Sequence, residues 1–162
     1  MSRYWIDASS FIWGNRDLFP INQVRGYWDW LETKLKDGSV VTHKKVYDEV
    51  ARGAEAEKPD PVAVWIKSRK GQWCSYSCTD ESKELVGRIA MYCYKSYGLV
   101  TANNFLSGAD PLLIARAGVD KGGIVVTQES IRKDPRIPKI CREFGIICVP
   151  LTKMNIDLDM EF

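Results

Sequence analysis

Short apolar runs alternate along this chain with segments whose apolar residues recur at helical spacing. Four runs have the composition of buried strands: 4–6, 40–41, 124–126 and 146–149. Between them, helical spacing predicts helices over 24–35, 42–53, 62–66, 80–97, 111–117 and 137–144. Residues 74–79 fit either a short strand or an irregular connection. This alternation predicts an α/β fold: a three-layer α/β/α sandwich around a mainly parallel sheet.

The length of 162 residues indicates one domain, which we place at residues 1–152. Residues 153–162 follow the last predicted strand and contain Asp157, Asp159 and Glu161. We expect them to form a frayed acidic tail.

Composition sets few further limits on function. Hydrophobic residues make up 45% and charged residues 27%, and the formal net charge is +2, so the charge neither requires nor excludes a nucleic-acid partner. No apolar run approaches the roughly 20 residues that a membrane-spanning helix needs. Five cysteines without a secretory leader predict reduced thiols in a cytoplasmic protein. A zinc site that includes Cys74 and Cys78 is an alternative, although no second short cysteine pair completes the usual pattern.

Acidic residues stand at or near the ends of the predicted strands and at helix boundaries. Asp7 directly follows the first strand, and Glu129 follows the strand 124–126 by a few residues. Glu49 lies at the border of the buried stripe of its helix, whereas Asp48 points away. Asp110 precedes Pro111 at a helix start. In parallel sheets, functional residues gather at the carboxyl ends of the strands, so these acids are candidates for one site.

Each acid also has a simpler interpretation. Glu49 would pair with Lys45 on the helix surface, Asp110 would be only a helix N-cap, and Glu129 would be a surface loop charge. Asp134 competes with Glu129 for the same role, although Pro135 after it suggests a turn.

If the four carboxylates converge, their repulsion needs compensation. Mg²⁺ or Mn²⁺ fits this requirement, because both ions prefer carboxylate oxygen and water as ligands. One or two such ions activate a water and hold a phosphodiester for in-line attack.

The motifs around these acids resemble those of the PIN-domain metal-dependent ribonucleases. Asp7-Ala8-Ser9 matches the motif that ends their first strand, "KVYDEV" supplies the helical Glu49, "GADPLLIA" supplies Asp110, and "IVVTQE" supplies Glu129. Relatives commonly have an aspartate at this last position. The resemblance extends over 4–151 and is strongest to compact single-domain proteins, many of which are toxins of toxin–antitoxin modules.

The resemblance implies a Mg²⁺- or Mn²⁺-dependent endoribonuclease. Asp7, Glu49, Asp110 and Glu129 would be its catalytic residues and metal ligands. Ser9 and Thr127 would position substrate or water, although local capping after a strand explains them equally well. The family also implies an RNA substrate, a possible antitoxin partner and a possible homodimer.

RNA would need further contacts. Six basic residues lie near the motifs and could bind phosphate: Lys44, Lys45, Arg52, Arg116, Arg132 and Lys133. Five tryptophans are candidates for base stacking: Trp13, Trp28, Trp30, Trp65 and Trp73. The helical spacing of Trp28 favours a core position, and His43 is expected to begin a helix rather than to act as a base.

Two other functions compete with the ribonuclease interpretation. The first is a PIN-like module that binds RNA or protein with weak or no catalysis. The second is a phosphatase with an aspartyl nucleophile, but such enzymes need a second aspartate where this chain has Ser9.

Overall fold

The computed structural model describes residues 2–69, 75–130 and 135–162. Its strands are β1 Arg3–Ile6, β2 Val40–His43, β3 Ser75–Tyr76, β4 Gly123–Val126 and β5 Cys148–Val149. Its α-helices are α1 Ala8–Trp13, α2 Arg25–Asp37, α3 Lys44–Ala51, α4 Pro61–Lys67, α5 Asp80–Ser96, α6 Leu99–Leu106, α7 Asp110–Val119, α8 Ile137–Glu143 and α9 Leu151–Asp157. A π-helical turn follows α1 at Gly14–Leu18, and a 3₁₀ turn follows α3 at Arg52–Glu55.

The five strands form one parallel sheet in the order β3-β2-β1-β4-β5. The fold is therefore the α/β/α sandwich that the sequence predicts. Strand β1 is central, and its register pairs Ile6 with Val126 of β4. Because the strands are parallel, the residues that follow these two positions meet at the same edge of the sheet.

The central strands are mostly apolar because helices cover the sheet. Trp5, Ile6, Val41, Val125 and Val126 are fully buried, as expected for strands of a parallel sheet that do not alternate in polarity. Helix α7 packs against β1, β2 and β4, and α2 packs against β2. The core is therefore continuous from the helices through the sheet.

Local signals begin several helices where the sequence predicts. Asp7 caps α1 through a bond from Ser10 N, and His43 caps α3 by accepting from Lys45 N through Nδ1. The expectation that His43 begins a helix is confirmed. Asp60, followed by Pro61, caps α4, in the arrangement that favours helix initiation.

Three parts of the chain differ from the sequence-based expectation. Helix α1, which has six residues, was not predicted. Helix α6 was not predicted, because β-branched residues and paired asparagines weaken its pattern and only Ala102 and Phe105 are buried. The frayed tail is wrong for residues up to Asp157, since α9 continues to that residue and buries Met154. Tyr4 also donates a hydrogen bond to Asp157 Oδ2 at 2.8 Å, which fixes the end of α9 to the sheet.

Within the described ranges, no helix has both the length and the hydropathy that crossing a bilayer requires.

Candidate active site

Asp7 lies at the carboxyl end of the central strand and is 1% exposed. Its Oδ2 atom accepts hydrogen bonds from Thr127 Oγ1 at 2.5 Å and Ser9 Oγ at 2.7 Å, and its Oδ1 atom accepts from Ser10 N at 2.8 Å. Burial raises the pKa of Asp7 to about 6, and the hydrogen bonds oppose that rise. Donors that follow β1 (Ser9 and Ser10) and β4 (Thr127) therefore hold the Asp7 carboxylate in one orientation.

Ser9 and Thr127 serve two purposes at once. Besides donating to Asp7, Ser9 Oγ accepts from Gln128 N and Thr127 Oγ1 accepts from Glu129 N, both at 3.1 Å. The two hydroxyl oxygens are 3.2 Å apart. The two hydroxyls therefore cap the chain locally and also hold the Asp7 carboxylate, and their positioning of substrate or water stays a prediction.

Asp110 is the first residue of α7, and it does not cap that helix. The N-cap position is Ala109, which has no side-chain cap, so the interpretation of Asp110 as an N-cap is wrong. Among the described residues, none donates a hydrogen bond to the Asp110 carboxylate. Burial raises its pKa to about 8, with further contributions from the charges of Glu129, Asp7 and Glu49, and Arg136 opposes this rise. Asp110 is therefore a half-buried carboxylate that repels three others and has little compensation.

Glu49 points toward Asp110 and not along the surface of its own helix. Its Oε1 atom accepts a hydrogen bond from Ala109 N at 3.1 Å, which ties α3 to the start of α7. Glu49 and Asp110 both line a cavity of about 340 Å³, with Arg136 at its margin. In the described chain, Glu49 has no ion pair with Lys45, so that simpler interpretation is wrong.

Glu129 is anchored at the same edge of the sheet. Its Oε2 atom accepts from Ile137 N at 3.0 Å, and its Oε1 atom accepts from Arg136 Nη1 at 3.3 Å. The side chain is mostly buried, so Glu129 is not a free surface charge. Asp134, the competing candidate, lies outside the described residues.

The donor set has the chemistry of a site for a hard divalent cation, although it is not arranged as one. The charges of Asp7, Glu49 and Glu129 all act on Asp110, and among the described residues Arg136 is the cation whose charge opposes them. Yet among residues 2–69, 75–130 and 135–162, no three His, Cys, Asp or Glu side chains are close enough to hold one ion. The same finding leaves the zinc alternative unsupported there, and Cys74 lies outside the described residues.

Arg136 is a site residue that the sequence analysis missed. It bonds to Glu129 and its charge acts on Asp110. The only sequence signal is its position, one residue before a helix that begins with Ile137-Pro138. No local pattern distinguishes such an arginine from a solvated one.

The basic residues proposed from sequence occupy different settings. Lys44, Lys45 and Arg52 are exposed. The Arg116 guanidinium instead stacks on Trp5 and Tyr76, 5.0 and 5.4 Å from their ring centroids, so it serves internal packing. Arg132 and Lys133 lie outside the described residues.

Comparison with solved structures relates this fold to a known architecture. The chain is similar to a chain in the crystal structure of DNA-bound VapBC from Salmonella typhimurium, with a TM-score of 0.59 and 14% sequence identity. The match covers 93% of this chain and 98% of that one. That complex is a PIN-domain toxin–antitoxin complex, and the similarity shows that this chain has a PIN-like fold.

Comparison of the sequence with curated proteins finds no match. Comparison with protein families finds one described as "Domain of unknown function (DUF4411)", which matches residues 4–162. The chain therefore belongs to the DUF4411 family, with a PIN-like fold.

Proposed function

We propose that this protein is a Mg²⁺- or Mn²⁺-dependent endoribonuclease that acts as the toxin of a type II toxin–antitoxin module. The observation that carries the proposal is the state of Asp110. Its carboxylate is half-buried, receives no hydrogen bond from the described residues, and has a pKa of about 8 because of desolvation and three nearby acids. The charged form of such a carboxyl group lowers the stability of the metal-free protein, and a bound divalent cation would offset this loss.

Asp7 and Asp110 are the principal ligands in this proposal, with Glu49 and Glu129 completing the site directly or through water. When bound, the cation supplies Lewis acidity that makes water a better nucleophile and stabilises charge on the phosphate.

The chain's own side chains prepare this site. Thr127 and Ser9 fix the orientation of Asp7 and favour its charged form. Glu49 positions the start of α7 through Ala109 N. Arg136 offers a cation beside the acids, where it is suited to bind a phosphate oxygen of RNA in exchange for its contact with Glu129.

The biological role in this proposal comes from the similarity in fold. The complex described above pairs a PIN-domain toxin with an antitoxin. By analogy, an antitoxin would mask this protein in the cytoplasm, and the protein would act alone or as a homodimer.

One observation favours a second candidate, a PIN-like module that binds RNA or protein without useful catalysis. Arg136 and the Ile137 amide occupy both carboxylate oxygens of Glu129, and no compact group of three ligands exists among the described residues. If Arg136 stays in place, only Asp7, Glu49 and Asp110 remain without a cationic partner at hydrogen-bond distance among the described residues.

Metal titration and RNA cleavage together distinguish the two candidates. We would titrate Mn²⁺ into the purified protein by calorimetry and follow cleavage of single-stranded RNA, with Asp110→Asn as the test variant. Asp48→Asn is a matched control, because Asp48 is an exposed acid next to Glu49.

The proposal expects Mn²⁺ binding and metal-dependent cleavage by the wild type and by Asp48→Asn, and loss of both in Asp110→Asn. If wild type and Asp110→Asn bind no Mn²⁺ and leave RNA intact alike, the ribonuclease proposal is wrong and the binding module is favoured.

A further inference from the structure

Trp13 differs from the other tryptophans of the described chain in its exposure. It is 45% exposed, whereas Trp5, Trp28, Trp30 and Trp65 are all buried. Trp73 lies outside the described residues. Trp5 and Trp28 also donate their indole N–H to Asp120 and to the Phe19 carbonyl. Within the described ranges, the indole N–H of Trp13 has no acceptor. The exposed indole of Trp13 is therefore accessible to a ligand from solvent.

The position of Trp13 on α1 directs it toward the acidic residues. Ser9 and Trp13 are four positions apart in this helix, so they lie on the same face. Ser9 donates to Asp7, and therefore the same helix face carries a hydroxyl of the acidic site and an exposed indole about one turn away.

A cavity joins the indole to the acidic site. It has a volume of about 400 Å³ and is lined by Ser9, Trp13, Gln128, Glu129, Ser130 and Arg136. This volume falls within the range of about 300–1,000 Å³ that is usual for small-ligand sites. Arg136 lines both this cavity and the one that holds Asp110 and Glu49, so the two cavities flank a single arginine.

The charges around the indole suit a nucleotide. The Arg16 guanidinium lies over the Trp13 ring, 4.9 Å from its centroid, and also pairs with Asp17 at 3.4 Å. Arg136 is a second cation in the cavity lining. A flat aromatic surface beside cations is the arrangement with which proteins bind unpaired bases and the phosphates between them. A duplex could not use it, because its bases are already stacked and paired.

We infer that Trp13 is a stacking platform for an unpaired RNA base that lies to one side of the phosphate that is cut. Arg136 binds a backbone phosphate between the two cavities. The inference rests on the proposed function for its substrate. It assigns Trp13 a role in binding and not in bond cleavage.

The test measures RNA affinity in the presence of a chelator, so that binding is separated from cleavage. Three labelled probes are compared by fluorescence anisotropy: a short single-stranded RNA, a ribose-phosphate oligomer of the same length without bases, and the RNA annealed to its complement. Trp13→Ala is the test variant and Trp13→Phe the conservative one. Tyr94→Ala is the control, because Tyr94 is 48% exposed and lines neither of the two cavities.

Trp13→Ala should weaken binding of the single-stranded RNA about 5- to 100-fold, and Trp13→Phe less than about 3-fold, because stacking survives on a smaller ring. Binding of the base-free oligomer and of the duplex should be unchanged in both variants. Tyr94→Ala should bind all three probes as the wild type does. In cleavage assays with Mn²⁺, Trp13→Ala should raise KM and leave kcat close to that of the wild type.

The inference is wrong if Trp13→Ala binds single-stranded RNA as tightly as the wild type, or if it loses the same factor with the base-free oligomer. It is also wrong if the wild type binds the RNA and the base-free oligomer equally well. Cleavage with an unchanged KM in Trp13→Ala would refute the base site and leave the proposed function intact. Conversely, Trp13-dependent RNA binding without metal-dependent cleavage would refute the proposed function and leave the base site.

Discussion

Thr127 Oγ1 donates a 2.5 Å hydrogen bond to Asp7 Oδ2, which joins two residues 120 positions apart in the chain. The parallel register of β1 and β4 brings them together, because Ile6 pairs with Val126 and the next residue of each strand leaves the sheet at the same edge. The hydrogen bond from Thr127 thereby lowers the free-energy cost of burying the Asp7 carboxylate.

Thr127→Val should destabilise the fold by about 1–3 kcal/mol, because it removes a donor to a buried acid while keeping the shape of the side chain. The pKa of Asp7 should also rise above its present value of about 6. Urea denaturation gives the first quantity and carboxyl-carbon NMR titration the second. Thr127→Ser keeps the hydroxyl and should stay close to the wild type in both. Equal pKa values of Asp7 in the valine and serine variants would contradict the role of the hydroxyl.

Asp110 should make the metal-free protein less stable at alkaline pH. Its pKa is about 8 in the folded chain and about 3.9 when unfolded, so the folded state holds the proton more tightly. The stabilisation is complete below the unfolded pKa and is lost as the pH rises through 8.

Between pH 6 and pH 9, the wild type in chelator should therefore lose about 3 kcal/mol more stability than Asp110→Asn, which cannot ionise. Chemical denaturation at the two pH values measures this difference. Parallel pH profiles of the two proteins would show that Asp110 is not the half-buried, repelled carboxylate described above.

His43 should destabilise the fold in mild acid. Burial, together with the charges of Arg116 and Lys45, lowers its pKa to about 4, against about 6.5 in an unfolded chain. Its Nδ1 atom accepts from Lys45 N, which a protonated ring cannot do. Because the unfolded state binds the proton first, stability falls as the pH drops from 6.5 toward 4.

His43→Asn keeps a helix-capping side chain but removes the titration. From pH 7 to pH 5, the free energy of unfolding of the wild type should fall by about 2 kcal/mol more than that of this variant. Thermal or urea unfolding at both pH values tests the expectation. A variant that loses as much stability as the wild type over this interval would exclude His43 as the cause.

Gly123 should not tolerate a side chain at the start of β4. A Cβ there would lie 2.2 Å from the Ala117 carbonyl oxygen, and backbone atoms cannot move aside cheaply. Gly123→Ala should cost at least about 1–3 kcal/mol.

Gly87→Ala is the matched control for Gly123→Ala. In helix α5, its Cβ would meet nothing within 4 Å, so this change should stabilise the protein by about 0.5–1 kcal/mol. Denaturation midpoints compare the two variants. We expect the two substitutions to shift the denaturation midpoint in opposite directions. A tolerated Gly123→Ala would contradict the close approach of α7 and β4.

Much of the fold followed from local patterns. The apolar runs that became β1, β2 and β4 are buried on both faces, and such runs leave few other structures open. Helices with clear caps, such as α3 after His43, began within two residues of the expected place. Helices α1 and α6 and the helical part of the C-terminal segment were missed, because each is short, only two or three residues of each are buried, and tertiary packing, not local propensity, keeps them helical.

The sequence by itself determined that acids stand at the carboxyl ends of strands and at the start of α7, because the strand and helix boundaries are local properties. Only the tertiary structure decided how those acids are used. It turned Glu49 toward Ala109 N, gave Asp110 no donor within the described part of the chain, and set Arg136 beside Glu129. Such partners, and the pKa values they produce, depend on burial and on charges from distant parts of the chain, which no local pattern of residues encodes.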